Sequence, residues 1–295
     1  MLAPALAALL ALVALQAPPS VVLVPSAARP GDAVLVRVTG AAVEPHGTLA
    51  GRPLSFWAAG GAEWRALAAL PIETAPGQVP VRIEAEGPEL EAALTVVEPR
   101  FTSHAISLDK KYVEPPRSVQ KRIAADHKAF ARAFSHPFAP PLFVEGFDWP
   151  RRAPTSGRFG DQRILNGKKA SVHYGLDITG PRGAPVAAAA DGEVVIARDA
   201  YLSGNTVVIW HGAGVYTAYF HLDRMAVAAG QRVRRGQQIG ALGSTGRATG
   251  PHLHWGVKVD GLYVDPESIL AIDFAGGSAP PRSPGEPPRA APRSD

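Results

Sequence analysis

Residues His173-Tyr174-Gly175-Leu176-Asp177 and, further on, Gly250-Pro251-His252-Leu253-His254 are the two stretches on which the reading of this chain turns. Both alternate as strands do. In the first, Val172, Tyr174, Leu176 and Ile178 fall on one face, and His173, Gly175 and Asp177 on the other. Two potential metal ligands then share a face with only a glycine between them, which leaves room for an ion. Imidazole nitrogen and carboxylate oxygen both suit zinc. In the second stretch His252 and His254 face the same way, and such a pair can supply one metal ligand and one group for proton transfer. His221 closes a run in which Val215, Thr217, Tyr219 and His221 share a face.

A catalytic zinc typically keeps three protein ligands and one open position for water. Its charge brings the pKa of that water near neutrality and polarises a carbonyl. Hydrolysis also needs a group that takes and returns protons, a task for neutral histidine. One aspartate and four histidines within 173–254 contain both kinds of part. The first pair alone is a weak signal, and the second a moderate one that also occurs in unrelated metal proteins. Both pairs in one β-rich region, with a third histidine position between them, form a specific one.

The rest of the composition narrows the field. The chain has 295 residues, a length that suits two modest domains and a tail. With 46% hydrophobic and 19% charged residues it can build packed cores. It has no cysteine, so a metal must be held by His, Asp or Glu. The formal net charge of +4 is a mild excess that favours anionic surfaces. No basic block interleaved with aromatic residues stands out, so nucleic acid is not an expected partner.

Residues 1–17 are almost wholly Ala, Leu, Val and Pro and carry no charge. The run is shorter than the roughly 20 apolar residues of a membrane span and reads as the apolar part of a signal peptide over 1–19. Export to the periplasm or cell envelope, or secretion, is the expectation, with no membrane span after cleavage. Over 20–99, short β-prone runs (21–24, 33–38, 49–57, 64–70, 79–85 and 92–97) alternate with Pro/Gly turns and predict a small β-sandwich. Within it, the single charge of Val34-Leu35-Val36-Arg37-Val38 marks a half-buried strand, and His46 sits in a turn. Residues 100–146 read as a connector. It holds a helix over 118–134, with Val119, Ile123, Phe130 and Phe134 at helical spacing between Pro115-Pro116 and Pro137. His104, His127 and His136 there read as surface residues. From 147 to 272 the chain is β-rich again, with a hairpin at 205–221 and strands at 233–240 and 252–259. The Pro/Arg-rich stretch 273–295 reads as a disordered tail.

The segments Ser156-Gly157-Arg158-Phe159-Gly160, Asn166-Gly167, 173–177, 185–192, Tyr219-Phe220-His221-Leu222, 236–246 and 250–254 resemble, in order, the catalytic core of the LytM/lysostaphin-type peptidases, family M23. The resemblance runs from roughly 150 to 270. The preceding region resembles the Ig-like domain that some members carry. What the resemblance implies is a mainly β protein: an Ig-like sandwich, a helical connector and an antiparallel β catalytic domain of the duplicated hybrid motif kind. It implies zinc held by His173, Asp177 and His254, with His221 and His252 as catalytic residues that are not ligands. The implied activity is a zinc endopeptidase acting on the peptide of peptidoglycan, in an open groove. The bond stays open between a D,D link, a glycine bridge and a D-Ala link, with residues 142–163 and 243–250 as the loops that decide. Two rival readings stay open as well: a non-catalytic wall-binding activator of an amidase, and a secreted peptidase acting on proteins. His211 has no counterpart in the family pattern and reads as structural or exposed. Tyr201, Tyr219 and Trp255 are either groove-lining or packing residues. The sandwich is a candidate for docking on the groove and holding it shut until a regulatory partner protein or a wall strand displaces it.

Overall fold

The first nine strands are short because a proline or glycine interrupts the chain every few residues. In a computed structural model of the protein, which describes residues 18–274 without Lys168 and only the backbone of Lys169, they form two sheets. The expected signal peptide, up to Ala17, and the tail from 275 onward lie outside the described residues. Strands β1 (Ser20–Val24), β3 (Ala33–Thr39), β7 (Glu63–Ala69) and β6 (Phe56–Gly60) make one sheet in the order β1-β3-β7-β6. The other runs β2-β9-β8-β4-β5, from β2 (Ala27–Ala28), β4 (His46–Leu49), β5 (Arg52–Pro53), β8 (Gly77–Glu84) and β9 (Leu90–Val96). Val34, Val36, Val38 and Ala66 of the first sheet meet Leu49, Val81, Ile83 and Leu94 of the second in one buried cluster.

Three expectations need correcting here. The run 49–57 is not one strand: Ala50 (φ 52°) and Gly51 (φ 73°) turn the chain between β4 and β5, and His46 belongs to β4 rather than to a turn. Strand β3 is not half-buried. Its second face, with Ala33 and Leu35, joins Trp57, Leu67 and Ala69 in the core of the C-terminal part. A strand covered on both sides loses the alternation that marks a solvent face.

The connector holds β10 (Ser103–Ile106), α1 (Lys110–Val113) and α2 (Gln120–Ala133), the last preceded by a 3₁₀ turn at Arg117–Val119. The helix expected over 118–134 is thus present. Asp126 on α2 is buried, and it accepts the Tyr201 backbone N–H at 2.8 Å and pairs with Arg198 at 2.7 Å.

The C-terminal part contains β11 (Thr155–Gly157), β12 (Gln162–Leu165), β13 (Lys169–Val172), β14 (Leu176–Thr179), β15 (Pro185–Ala187), β16 (Gly192–Ala200), β17 (Gly204–Trp210) and β18 (Val215–Met225). After them come β19 (Arg232–Val233), β20 (Gln238–Leu242), β21 (His252–Val259), β22 (Leu262–Val264) and α3 (Pro266–Leu270). One ten-stranded sheet has the central order β11-β14-β21-β18-β17-β16-β19, with β20 bridging β15 and β18 and β22 flanking β21. A separate sheet orders β10-β12-β13, so a connector strand is built into it. The stretch expected as one strand over 233–240 is split by a turn at Gly236 (φ 80°) into β19 and β20. The fold is mainly β, as the sequence indicates. Among the described residues no helix is long and apolar enough to cross a membrane.

Candidate metal centre and groove

Strand register assembles the site. β21 lies between β14 and β18, and pairing sets Asp177 opposite His254 on one side and Phe220 opposite His254 on the other. Directly opposed residues bring their side chains together. His173 arrives from elsewhere: it follows the end of β13, before β14 begins. The segment 173–177 is therefore a corner between two sheets rather than the single strand the alternation suggests. The space beside Gly175 serves the His254 ring, since a Cβ there would come within 2.8 Å of its Nε2.

Three atoms converge. His173 Nε2 lies 3.1 Å from Asp177 Oδ1 and 2.9 Å from His254 Nδ1, and His254 Nδ1 lies 3.0 Å from Asp177 Oδ1. His173 Nδ1 donates to the Arg158 carbonyl at 2.7 Å, which leaves Nε2 of the neutral ring with a lone pair facing the others. Acceptor atoms this close need a shared proton or a cation between them. Tetrahedral zinc with bonds of about 2.0–2.1 Å sets its donors about 3.3 Å apart, so the triangle is near the size such an ion requires. The donor set of two imidazoles and one carboxylate, all within 4.8 Å of one another, fits a zinc site with one position left open.

The surroundings hold these donors. Arg163 on β12 pairs with Asp177 Oδ2. Burial acts to raise the Asp177 carboxyl, but hydrogen bonds with His173 and His254 outweigh it and hold the group well below the usual range. Burial pushes His254 down to about 4. Phe220 lies parallel to the His254 ring, with centroids 5.2 Å apart and planes 3° apart.

His252 and His221 stand beside the triangle. His252 donates Nδ1–H to the Gly250 carbonyl at 2.9 Å, and its Nε2 is 3.7 Å from Asp177 Oδ1. His221 donates Nδ1–H to the Thr245 carbonyl at 2.8 Å, and its ring centroid is 4.9 Å from that of His252. Both rings thus turn an unprotonated Nε2 away from the backbone. Burial above all, with His252 and His254 adding to it, pushes the His221 pKa down to about 3, so the ring stays neutral at ordinary pH. His221 does not share a face with Tyr219, as strict alternation would have it. Its φ of 62° breaks the strand and swings its ring to the side of Phe220, while Tyr219 stays in the core. A left-handed non-glycine residue is costly, and such residues cluster at functional sites.

All five sequence-predicted site residues line one cleft of about 700 Å³. Its far wall comes from the connector, with Ile106 at the end of β10, Leu108 just beyond it, Ile123 and Phe130 on α2, and Phe134 capping that helix. Phe130 packs edge-on against Phe220 at 6.2 Å. No residue of the N-terminal sandwich lines this cleft. The expectation that the sandwich docks on the groove is therefore not met. It docks through β3 and β7 on the far core, where the Asp265 N–H reaches the Gly31 carbonyl at 2.7 Å.

Three roles were absent from the sequence reading: Arg163 beside Asp177, Phe220 against His254, and the connector wall. Spacing gives no signal for them, because each arrives from another sheet or helix. Tyr219 and Trp255 are fully buried packing residues, and neither they nor Tyr201 line the cleft. His211 is structural. It is fully buried between the Asp191 carbonyl and Thr217 Oγ, 2.7 Å from each, and burial pushes it down to about 4. His136 stacks on Trp210 at 4.8 Å, His104 is exposed, and His127 is an exposed residue on the cleft rim.

Residues 171–266 match the peptidase family M23 model, a span that contains all five side chains. The chain is 42% identical over 122 residues to the peptidoglycan DD-endopeptidase ShyB of Vibrio cholerae, covering 41% of this chain and 26% of that protein. It is 48% identical over 98 residues to the peptidoglycan DD-endopeptidase ShyA of the same organism, covering 33% of this chain and 23% of that protein. The chain thus spans about a quarter of the length of these curated relatives. A crystal structure assigned to peptidase M23 from Pseudomonas aeruginosa aligns with a TM-score of 0.60 at 27% identity, over 82% of this chain and 93% of that one. That share reaches well beyond residues 171–266, into the sheets that precede them. Residues 171–266 are thus a peptidase family M23 domain.

Proposed function

We propose that the protein is an exported zinc endopeptidase that hydrolyses peptide bonds in bacterial peptidoglycan, in the cross-links or stem peptides. The observation that carries this is the donor triangle of His173, Asp177 and His254 with two further histidines turning free Nε2 atoms toward the same cleft. Zinc bound by the three donors would polarise the scissile carbonyl and bring a water within reach of deprotonation near pH 7. The chain's own residues do the rest. Neutral His252 and His221 accept the proton of the attacking water at Nε2 and return it to the leaving amine. As imidazolium, either ring can also donate to the oxyanion. The backbone carbonyls of Gly250 and Thr245 hold each ring in the tautomer this needs. The catalytic unit is assigned to 147–272, with the sandwich at 20–99 and the connector at 100–146. The names of the Vibrio relatives support peptidoglycan as substrate and the cell envelope as location.

Mass spectrometry of purified peptidoglycan incubated with the protein tests this. Expected is the loss of cross-linked fragments, abolished by a zinc chelator and restored by added zinc. An intact wall beside a digested casein control would move the assignment to a peptidase of proteins. No cleavage of either, despite bound zinc, would move it to a non-catalytic activator.

A further inference from the structure

We propose that Arg247 anchors a free carboxylate of the substrate, so that the protein takes anionic peptides rather than neutral bridges such as oligoglycine. This rests on the groove being an endopeptidase site. Arg247 lies on the loop between β20 and β21, two residues beyond Thr245, whose carbonyl holds the His221 ring. Its backbone N–H donates to the Leu202 carbonyl at 2.7 Å, which fixes the loop against the cleft, and the residue lines that cleft.

Its guanidinium is only partly exposed, and no hydrogen bond or ion pair engages it among the described residues. Arg163, the other arginine of the lining, repels it. The two acids of the lining offer it nothing. Asp126 is paired with Arg198, and Asp177 with Arg163. A part-buried cation beside another cation, with no anion of its own, is unfavourable in the free protein. A ligand that brings the missing charge relieves it. The planar fork of arginine matches a carboxylate with two parallel hydrogen bonds. Ile123, Phe130 and Tyr263 line the same cleft and suit aliphatic neighbours of that carboxylate.

The experiment compares cross-linked peptide dimers that differ in one respect, free or amidated carboxylates next to the scissile link. Wild-type protein is expected to prefer the free acid by at least about tenfold in kcat/KM. Arg247→Gln should raise KM for the free acid about 10–100-fold, the size of one charge-assisted pair, with kcat held and the amidated dimer hardly affected. Arg247→Lys should recover part of the loss. Equal rates on both dimers with wild-type protein, or an equal loss on both with Arg247→Gln, overturns the proposal. The wild-type comparison stands even where the variant fails to fold. If wild-type protein with zinc bound cleaves neither dimer, the endopeptidase reading fails on that arm alone, and the proposal with it.

Discussion

At the scale of single residues, the proposed ligands are legible in the sequence and their supports are not. His173, Asp177 and His254 announce themselves by type and spacing. Arg163 does not, because it reaches Asp177 from the β10-β12-β13 sheet. Second-sphere partners of this kind typically contribute about 10–100-fold in metal affinity. Arg163→Met is therefore expected to weaken zinc binding by that factor in a chelator competition, with the melting temperature little changed. Unaltered affinity would reduce the pair to a surface contact. His221 was placed on the wrong face because alternation assumes ordinary strand backbone, and its φ of 62° departs from that. Left-handed backbone costs an L-residue about 1–2 kcal/mol and glycine almost nothing. In urea unfolding His221→Gly should exceed His221→Val in stability by about 1–2 kcal/mol, while both lose turnover. Equal stabilities would mean that the backbone carries no strain there.

At the scale of elements, the strands with one solvent face were readable, and those with two neighbours were not. β3 carries a buried row on each face, and 233–240 hid a turn at Gly236 between two short strands. Helix α3 shows how an element from the end of the chain is tied to its beginning. Asp265 caps it by accepting the Glu267 N–H at 2.9 Å, and Ser268 Oγ accepts the Ala33 N–H at 2.9 Å. Burial, with Asp32 and Glu267 adding negative charge, raises the Asp265 pKa from 3.8 to about 7. The folded protein thus holds this proton more tightly than the unfolded chain. The penalty is absent below pH 3.8, grows as the pH climbs, and is complete above about 7. Asn caps a helix as well as Asp does. Asp265→Asn is therefore expected to stay close to the parent at pH 4 and to exceed it by up to about 4 kcal/mol at pH 8. A gain of equal size at both pH values would point to a cause other than the charge.

At the scale of the whole molecule, the sandwich braces the C-terminal part on the side away from the cleft. Leu35 is fully buried in the C-terminal core although it belongs to the N-terminal sheet. Truncation of a buried leucine costs about 2–5 kcal/mol. Leu35→Ala should lower stability by that amount with kcat intact, and a chain starting at Arg100 should lose solubility without gaining activity. A more active truncated chain would restore the sandwich as a lid. The connector, by contrast, is part of the groove, which sequence could not reveal because α2 reaches it through tertiary contacts such as Phe130 on Phe220 and Asp126 on Arg198. All of this fits the proposed division of labour, in which three side chains would hold zinc and two would handle protons. Zinc content of the purified protein and its single alanine variants, read beside turnover of the same samples, tests that division most directly. Expected is one zinc in the parent, loss of zinc with His173, Asp177 or His254 replaced, and full zinc without turnover with His221 or His252 replaced. Retained zinc in the first group, or lost zinc in the second, would contradict it.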